Sequence, residues 1–188
     1  MPGQRLGSMI AASFGLVYVV VNTGSFPVAV ATSLRVLGVA AFVAIVVAVV
    51  RSRPAGAGGG ERVAGFGRAY WAVVGAEVVA LFAGLRVLDA AFDLSYAGVG
   101  WVSVVVGIHF LPLARIWREP VFVVLGVLVA GCGAIALLLA ATLGDVAAVP
   151  AVGGVLPGFI LLASGWWGAR RARRDETAPD PGHRLAQN

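Results

Sequence analysis

The sequence predicts an all-α polytopic membrane protein, a six-transmembrane-helix bundle with N-terminus and C-terminus cytoplasmic. Three observations carry that expectation. The chain of 188 residues is 60% hydrophobic and 12% charged, with a mean hydropathy of +0.93. Soluble domains are about half apolar and a quarter charged, and a core of this size cannot hide such an excess, so lipid must be the main solvent. Six apolar runs approach or reach the roughly 20 residues that cross a bilayer. Finally, the basic residues, fourteen arginines and no lysine, gather on alternate connectors. With the N-terminus inside, twelve arginines are cytoplasmic and the outer connectors keep Arg86 with Asp89, Asp93 and Asp145, which is the positive-inside pattern.

Each span follows from local signals. The first, about 7–21, follows Arg5 and reads as an uncleaved span rather than a signal peptide, because further apolar runs follow directly. It ends at the turn-rich NTGSFP (22–27). The second, about 27–50, opens on Pro27, a residue suited to a first helical turn. The stretch 51–68, with Pro54 and Gly58-Gly59-Gly60, reads as a flexible basic loop. The third span, about 69–88, turns through DAAFD (89–93) into the fourth, about 94–113, and ARIWRE (114–119) reads as a tight return. The fifth covers about 121–143 and the sixth about 151–168. Residues 1–168 thus form one membrane domain, and 169–188 a cytoplasmic tail, basic and then disordered. Trp166 and Trp167 before the arginine cluster, and Tyr70 and Trp71 after Arg68, read as interfacial belts.

Three ionisable residues fall inside these spans. By the 1.5 Å helical rise, Arg35 lies about 12 Å past Pro27 and Glu77 about 13–14 Å past Arg68, both near the middle of a core about 30 Å thick. An arginine there costs about 2.5–3.5 kcal/mol on insertion scales and is too deep to reach the surface fully. The economical solution is an Arg35–Glu77 pair on consecutive antiparallel helices. Thr32 and Gly38 share the face of Arg35, and Ala80 and Gly84 that of Glu77. Such a pair either lines a substrate or proton path or only fixes packing. His109 lies about 9 Å above the inner boundary. A histidine changes charge near neutral pH and can relay a proton, or it simply hydrogen-bonds a neighbour in the bundle.

Two prolines add irregularity. Pro112 leaves the carbonyl of Ile108 without its intrahelical donor and invites a kink. Pro157, among Pro150, Gly153, Gly154 and Gly158, loosens the outer half of the sixth span, which must then line protein or water rather than lipid. The 154/158 glycine spacing suits close helix packing, although Pro157 weakens a simple dimer motif.

Several function classes are excluded. Cys132 is the one cysteine, so no intrachain disulfide or cysteine metal cluster forms. With His109 the one histidine in any span, no metal site is expected, and no cofactor either. No phosphate-binding glycine loop, HExxH or GxSxG occurs. The arginines flank spans rather than lining one face, which argues against nucleic acid. Arg170, Arg171, Arg173 and Arg174 are expected to touch anionic lipid headgroups.

VVVNTGSFPVA (19–29) and VVVGIHFLPLA (104–114) share three valines, a proline and an alanine across three spans, so a repeat there would relate inverted halves. The matches are too few to establish one. In GIHFLPLARIW (107–117), together with VNTGSFP (21–27), the chain resembles small bacterial multi-pass integral membrane proteins of uncharacterised activity that carry a GxHFxPLA segment. That resemblance implies a bacterial inner membrane and no particular activity. The expected function is a small proton-linked or anion carrier centred on Arg35, Glu77 and His109. The alternative is a non-catalytic sensor, assembly factor or regulatory subunit whose pair is structural.

Overall fold

A computed structural model describes residues 2–51, 68–117, 119–144 and 147–177, and among them all regular structure is helical. The order is α1 (Pro2–Asn22), α2 (Val28–Arg51), α3 (Arg68–Phe92), a 3₁₀ turn (Ser95–Ala97), α4 (Gly98–Trp117), α5 (Val121–Leu143), a single turn α6 (Ala148–Pro150), a π-helical turn (Ala151–Val155) and α7 (Leu156–Thr177). Five helical stretches are long and apolar enough to cross a membrane, and α1 adds a shorter apolar stretch, Gly7–Asn22. This is a helical membrane protein. The wide apolar faces left outside, among them Val36, Val79, Phe82 and Leu138, are what lipid would cover.

The elements end where local chemistry stops them. Asp93 adopts the left-handed conformation (φ 52°) and closes α3, while the Leu94 N–H donates to Leu88 O at 2.9 Å. Gly144 (φ 61°) closes α5 in the same way, at a position glycine occupies without strain. Two expected connectors are corrected. DAAFD is helical up to Phe92 rather than a turn, and ARIWRE continues α4 to Trp117 before the chain turns at Glu119 and Pro120. Pro112 sits inside α4 without breaking it. The arginine cluster of the expected tail is also helical, since α7 runs to Thr177. The expected loop at 52–67 and the end of the tail lie outside the described residues.

Two helix pairs carry the closest packing, and small residues two turns apart make both. On α4 and α5, Gly100 and Gly107 meet Gly133 and Gly126. A Cβ on Gly133 would stand 2.5 Å from Gly100 O, and one on Gly126 would stand 2.7 Å from Gly107 O. On α1 and α7, which run antiparallel, Gly15 meets Gly158, and Ser8 meets Gly165. The 154/158 glycine spacing therefore serves an internal contact, with Gly154 against Asn22 and Gly158 against Gly15.

The buried core falls into two clusters. One joins α1, α2 and α7 through Ala12, Val19, Ile45, Ala48, Leu162 and Ala169. The other joins the 3₁₀ turn, α5 and α6 through Ala97, Ala136, Ala140 and Val149. The π turn lies between them and touches α1, α4 and α5. α3 leans chiefly on α4. The two halves of the chain do not pack equivalently: α1 makes its most extensive contact with α7, whereas α4 makes its own with α5. An inverted repeat pairing α1 with α4 would require the counterpart of α7, which is α3, to be the main partner of α4.

Candidate functional site

The polar residues lie along a seam formed by α3 and α4, beside the π turn that α1 and α5 also touch. α3 runs antiparallel to α4, with Gly84 tucked beneath the Trp101 ring and the Trp101 indole donating to Ala80 O at 3.0 Å. Two turns along from Gly84 and Trp101, the same register brings Glu77 to His109. Glu77 Oε2 stands 2.8 Å from His109 Nδ1, with the side chains only 18% and 15% exposed. The contact is close by distance but lacks hydrogen-bond alignment, so Nδ1 is buried without a hydrogen-bond partner. The imidazole also meets Phe110 edge to face at 6.2 Å, and Phe110 stacks on Phe122.

The expected Arg35–Glu77 pair does not form. The reason lies in depth and direction. Because α4 extends to Trp117, His109 lies eight residues, about 12 Å, from its end, which matches the depth of Glu77 along α3. Arg35 points elsewhere. Helical side chains tilt toward the N-terminus, and its Nε donates to Thr23 Oγ1 at 2.8 Å, back in the α1–α2 turn. Thr23 is fully buried, and its hydroxyl donates in turn to Val20 O at 3.1 Å. The arginine thus reaches one end of the bundle after all. Gly38, expected on the same face, packs on Val19 of α1, so that face of α2 meets α1 rather than α3.

Two residues join the site that the sequence did not single out. Tyr18 on α1 is buried with its hydroxyl unpartnered, beside Ser103 and within electrostatic range of Glu77. Ser103 on α4 is fully buried and gives its proton to Gly153 O at 2.6 Å. In an α-helix that carbonyl would accept from the N–H of residue 157, which is proline and has none. Ser103 thus bonds a carbonyl to which Pro157 cannot donate, and ties α4 to the π turn. Asn22 Nδ2 closes the same region by donating to Tyr18 O at 2.8 Å. The signal for both residues was a hydroxyl placed inside an apolar run, in LVYVVV and WVSVVV.

The site therefore gathers a carboxylate, an imidazole and two hydroxyls from three helices, next to a π turn of the kind often found at functional positions. Such a set can hold, pass or exchange a proton, and the Tyr18 hydroxyl is one a water would satisfy. Pro112 lies one turn from His109 on the same helix, outside these contacts. Compared with known proteins, the chain matches no family model, no curated sequence and no solved structure.

Proposed function

We propose that the chain is a small proton-linked carrier of a bacterial inner membrane, with Glu77 and His109 as its proton-exchanging centre and Tyr18 and Ser103 extending the path toward the π turn. One observation carries the reading: a half-buried carboxylate and an imidazole in contact between α3 and α4, with the buried Tyr18 hydroxyl nearby lacking a well-aligned hydrogen bond. Buried ionisable groups inside membrane helices are costly and mark ion or proton routes. Carriers commonly place such groups beside an irregular helix at the interface of two units. The anion-binding version of the reading would centre on Arg35, which lies with Thr23 and apart from the Glu77–His109 contact.

The carrier crosses the membrane six times with both termini in the cytoplasm. The antiparallel course of α1 beside α7, from Ser8–Gly165 to Asn22–Gly154, supports a crossing for α1. Arginine placement supports the orientation. At the cytoplasmic face, Arg170 over Trp166 and Arg171 over Trp167, with exposed Arg173 and Arg174, engage anionic headgroups.

Proton flux into proteoliposomes under an imposed potential tests the proposal, with folding of each variant checked by size exclusion. Wild type should conduct, and folded Glu77→Gln and His109→Gln should lose most of the flux. Undiminished flux in folded Glu77→Gln removes that residue from the path. A second reading has its own support: α3 leans chiefly on α4, so the Glu77–His109 contact is also a clamp. On that reading the protein is a non-catalytic membrane subunit, wild type carries no current, and Glu77→Gln only loosens α3.

A further inference from the structure

Among the spanning stretches, α3 is the least embedded. No residue of its apolar run Trp71–Phe92 is buried, and it packs chiefly on α4. Its C-terminal end is anchored: Leu85 lies against Gly98 at the start of α4, and Tyr96 in the connector donates to Ala140 O of α5 at 3.1 Å. Nearer Glu77 the grip comes from Trp101. Its ring covers Gly84 so closely that any side chain at 84 would collide with it, and its indole N–H donates to Ala80 O at 3.0 Å. Ala80 is three residues from Glu77, so the bond is made about 4–5 Å along the helix from the carboxylate. The other glycine of α3, Gly75, lies nine residues from Gly84, so no small slip offers the ring a second seat. A Glu77–His109 contact of 2.8 Å tolerates little slippage. Re-seating α3 one residue along would move Glu77 by about 1.5 Å and turn it by about 100°.

We propose that Trp101 is a positioning residue for proton exchange: by gripping Ala80 and covering Gly84 it sets the register of α3 on α4 that keeps Glu77 against His109. The proposal rests on the reading of that pair as the proton-exchanging centre, because a positioning residue acts only through the groups it places. An aromatic side chain with a polar N–H suits the task. The ring supplies contact area that disfavours other registers, and the N–H selects one carbonyl. Misplacement of reacting groups by about an ångström, from a change far from them, can lower a rate strongly.

Cross-linking of the full-length protein reads the register directly. On a Cys132→Ser background, Glu77→Cys with His109→Cys is treated with a short bifunctional thiol reagent. The cysteines remove the Glu77–His109 contact itself, so the rate reads what Trp101 holds. Trp101→Phe deletes the N–H, and Gly84→Ala takes the seat of the ring. Either should cross-link about fivefold more slowly than the parent, the fold-change an interhelical bond of this kind carries, with an unchanged size-exclusion profile. Retention of the parental rate by either folded variant overturns the proposal, and Gly84→Ala decides alone if Trp101→Phe fails to fold. With the native pair in place, Trp101→Phe should also move the pH of half-maximal flux by about a unit, the scale of a charged neighbour gained or lost at this range. A protein merely less well folded carries less flux with the same midpoint, so an unmoved midpoint overturns the proposal too. A wild type without flux removes the carrier reading instead, and the cross-linking rate still decides whether Trp101 sets the pair.

Discussion

Tyr18 and Ser103 show how differently two buried hydroxyls behave when one is bonded and the other is not. The Ser103 hydroxyl bonds the Gly153 carbonyl, to which Pro157 cannot donate, so Ser103→Ala removes a bond across the α4–π contact. The expected cost is about 0.6–1.7 kcal/mol, the range of interhelical side-chain bonds in membranes, read from reversible unfolding in mixed detergent. The Tyr18 hydroxyl stands beside Ser103 without a well-aligned hydrogen bond, and so poor a contact contributes little when buried. Tyr18→Phe should therefore keep or slightly raise stability. If Tyr18 passes protons, the same variant conducts less, and that combination of unchanged fold with lower flux separates a role in the path from a role in packing. Equal flux in Tyr18→Phe and wild type would confine the path to Glu77 and His109.

At the scale of the helix, two glycines of α5 only two residues apart face opposite sides and have opposite environments. Gly133 faces Gly100 and Val104 of α4 so closely that an added methyl would overlap their backbone, whereas a methyl on Gly131 would meet nothing within 4 Å. Gly133→Ala must push α4 and α5 apart and should cost about 1–3 kcal/mol, the usual range for overpacking. Gly131→Ala meets no obstacle and reduces the freedom of the unfolded chain, so it should be neutral or stabilising by up to about 1 kcal/mol. Thermal melts of the two variants in one detergent check the pair, and a Gly133→Ala protein as stable as wild type would show that the helices can re-space freely. Gly107, which sits over the Ala130 backbone, belongs with Gly133.

For the whole molecule, the proposed six-crossing arrangement would fix which connectors share a side. Single cysteines on a Cys132→Ser background, treated with a membrane-impermeant maleimide, should label at Ser25 and Asp89 from one face and at Gly7 and Arg115 from the other. Labelling of Gly7 and Ser25 from the same face would mean that α1 packs against α7 without crossing. The same arrangement leaves α3 held largely by α4, with Glu77–His109 and Trp101–Ala80 as its polar ties. Loss of the carboxylate in Glu77→Gln should make α3 the first helix to gain amide exchange, with α1 and α7 unaffected.

The helical membrane class and most of the helix positions were legible in the chain itself, because apolar length and arginine placement act locally on each segment. α5 runs over the expected residues, and the irregular sixth helix falls where Pro157 and the glycines predict it. Glu77, His109 and Arg35 were legible as costly residues, since each sits in an apolar run. Their partners were not. Depth along a helix can be counted from its ends, but the direction a side chain faces depends on which helices become neighbours, and a few residues' error at the end of α4 was enough to shift His109 away from the depth of Glu77. Only the tertiary arrangement, set by glycine contacts between α4 and α5 and between α1 and α7, gave Glu77 to His109, sent Arg35 to Thr23, and brought Tyr18 and Ser103 to the seam.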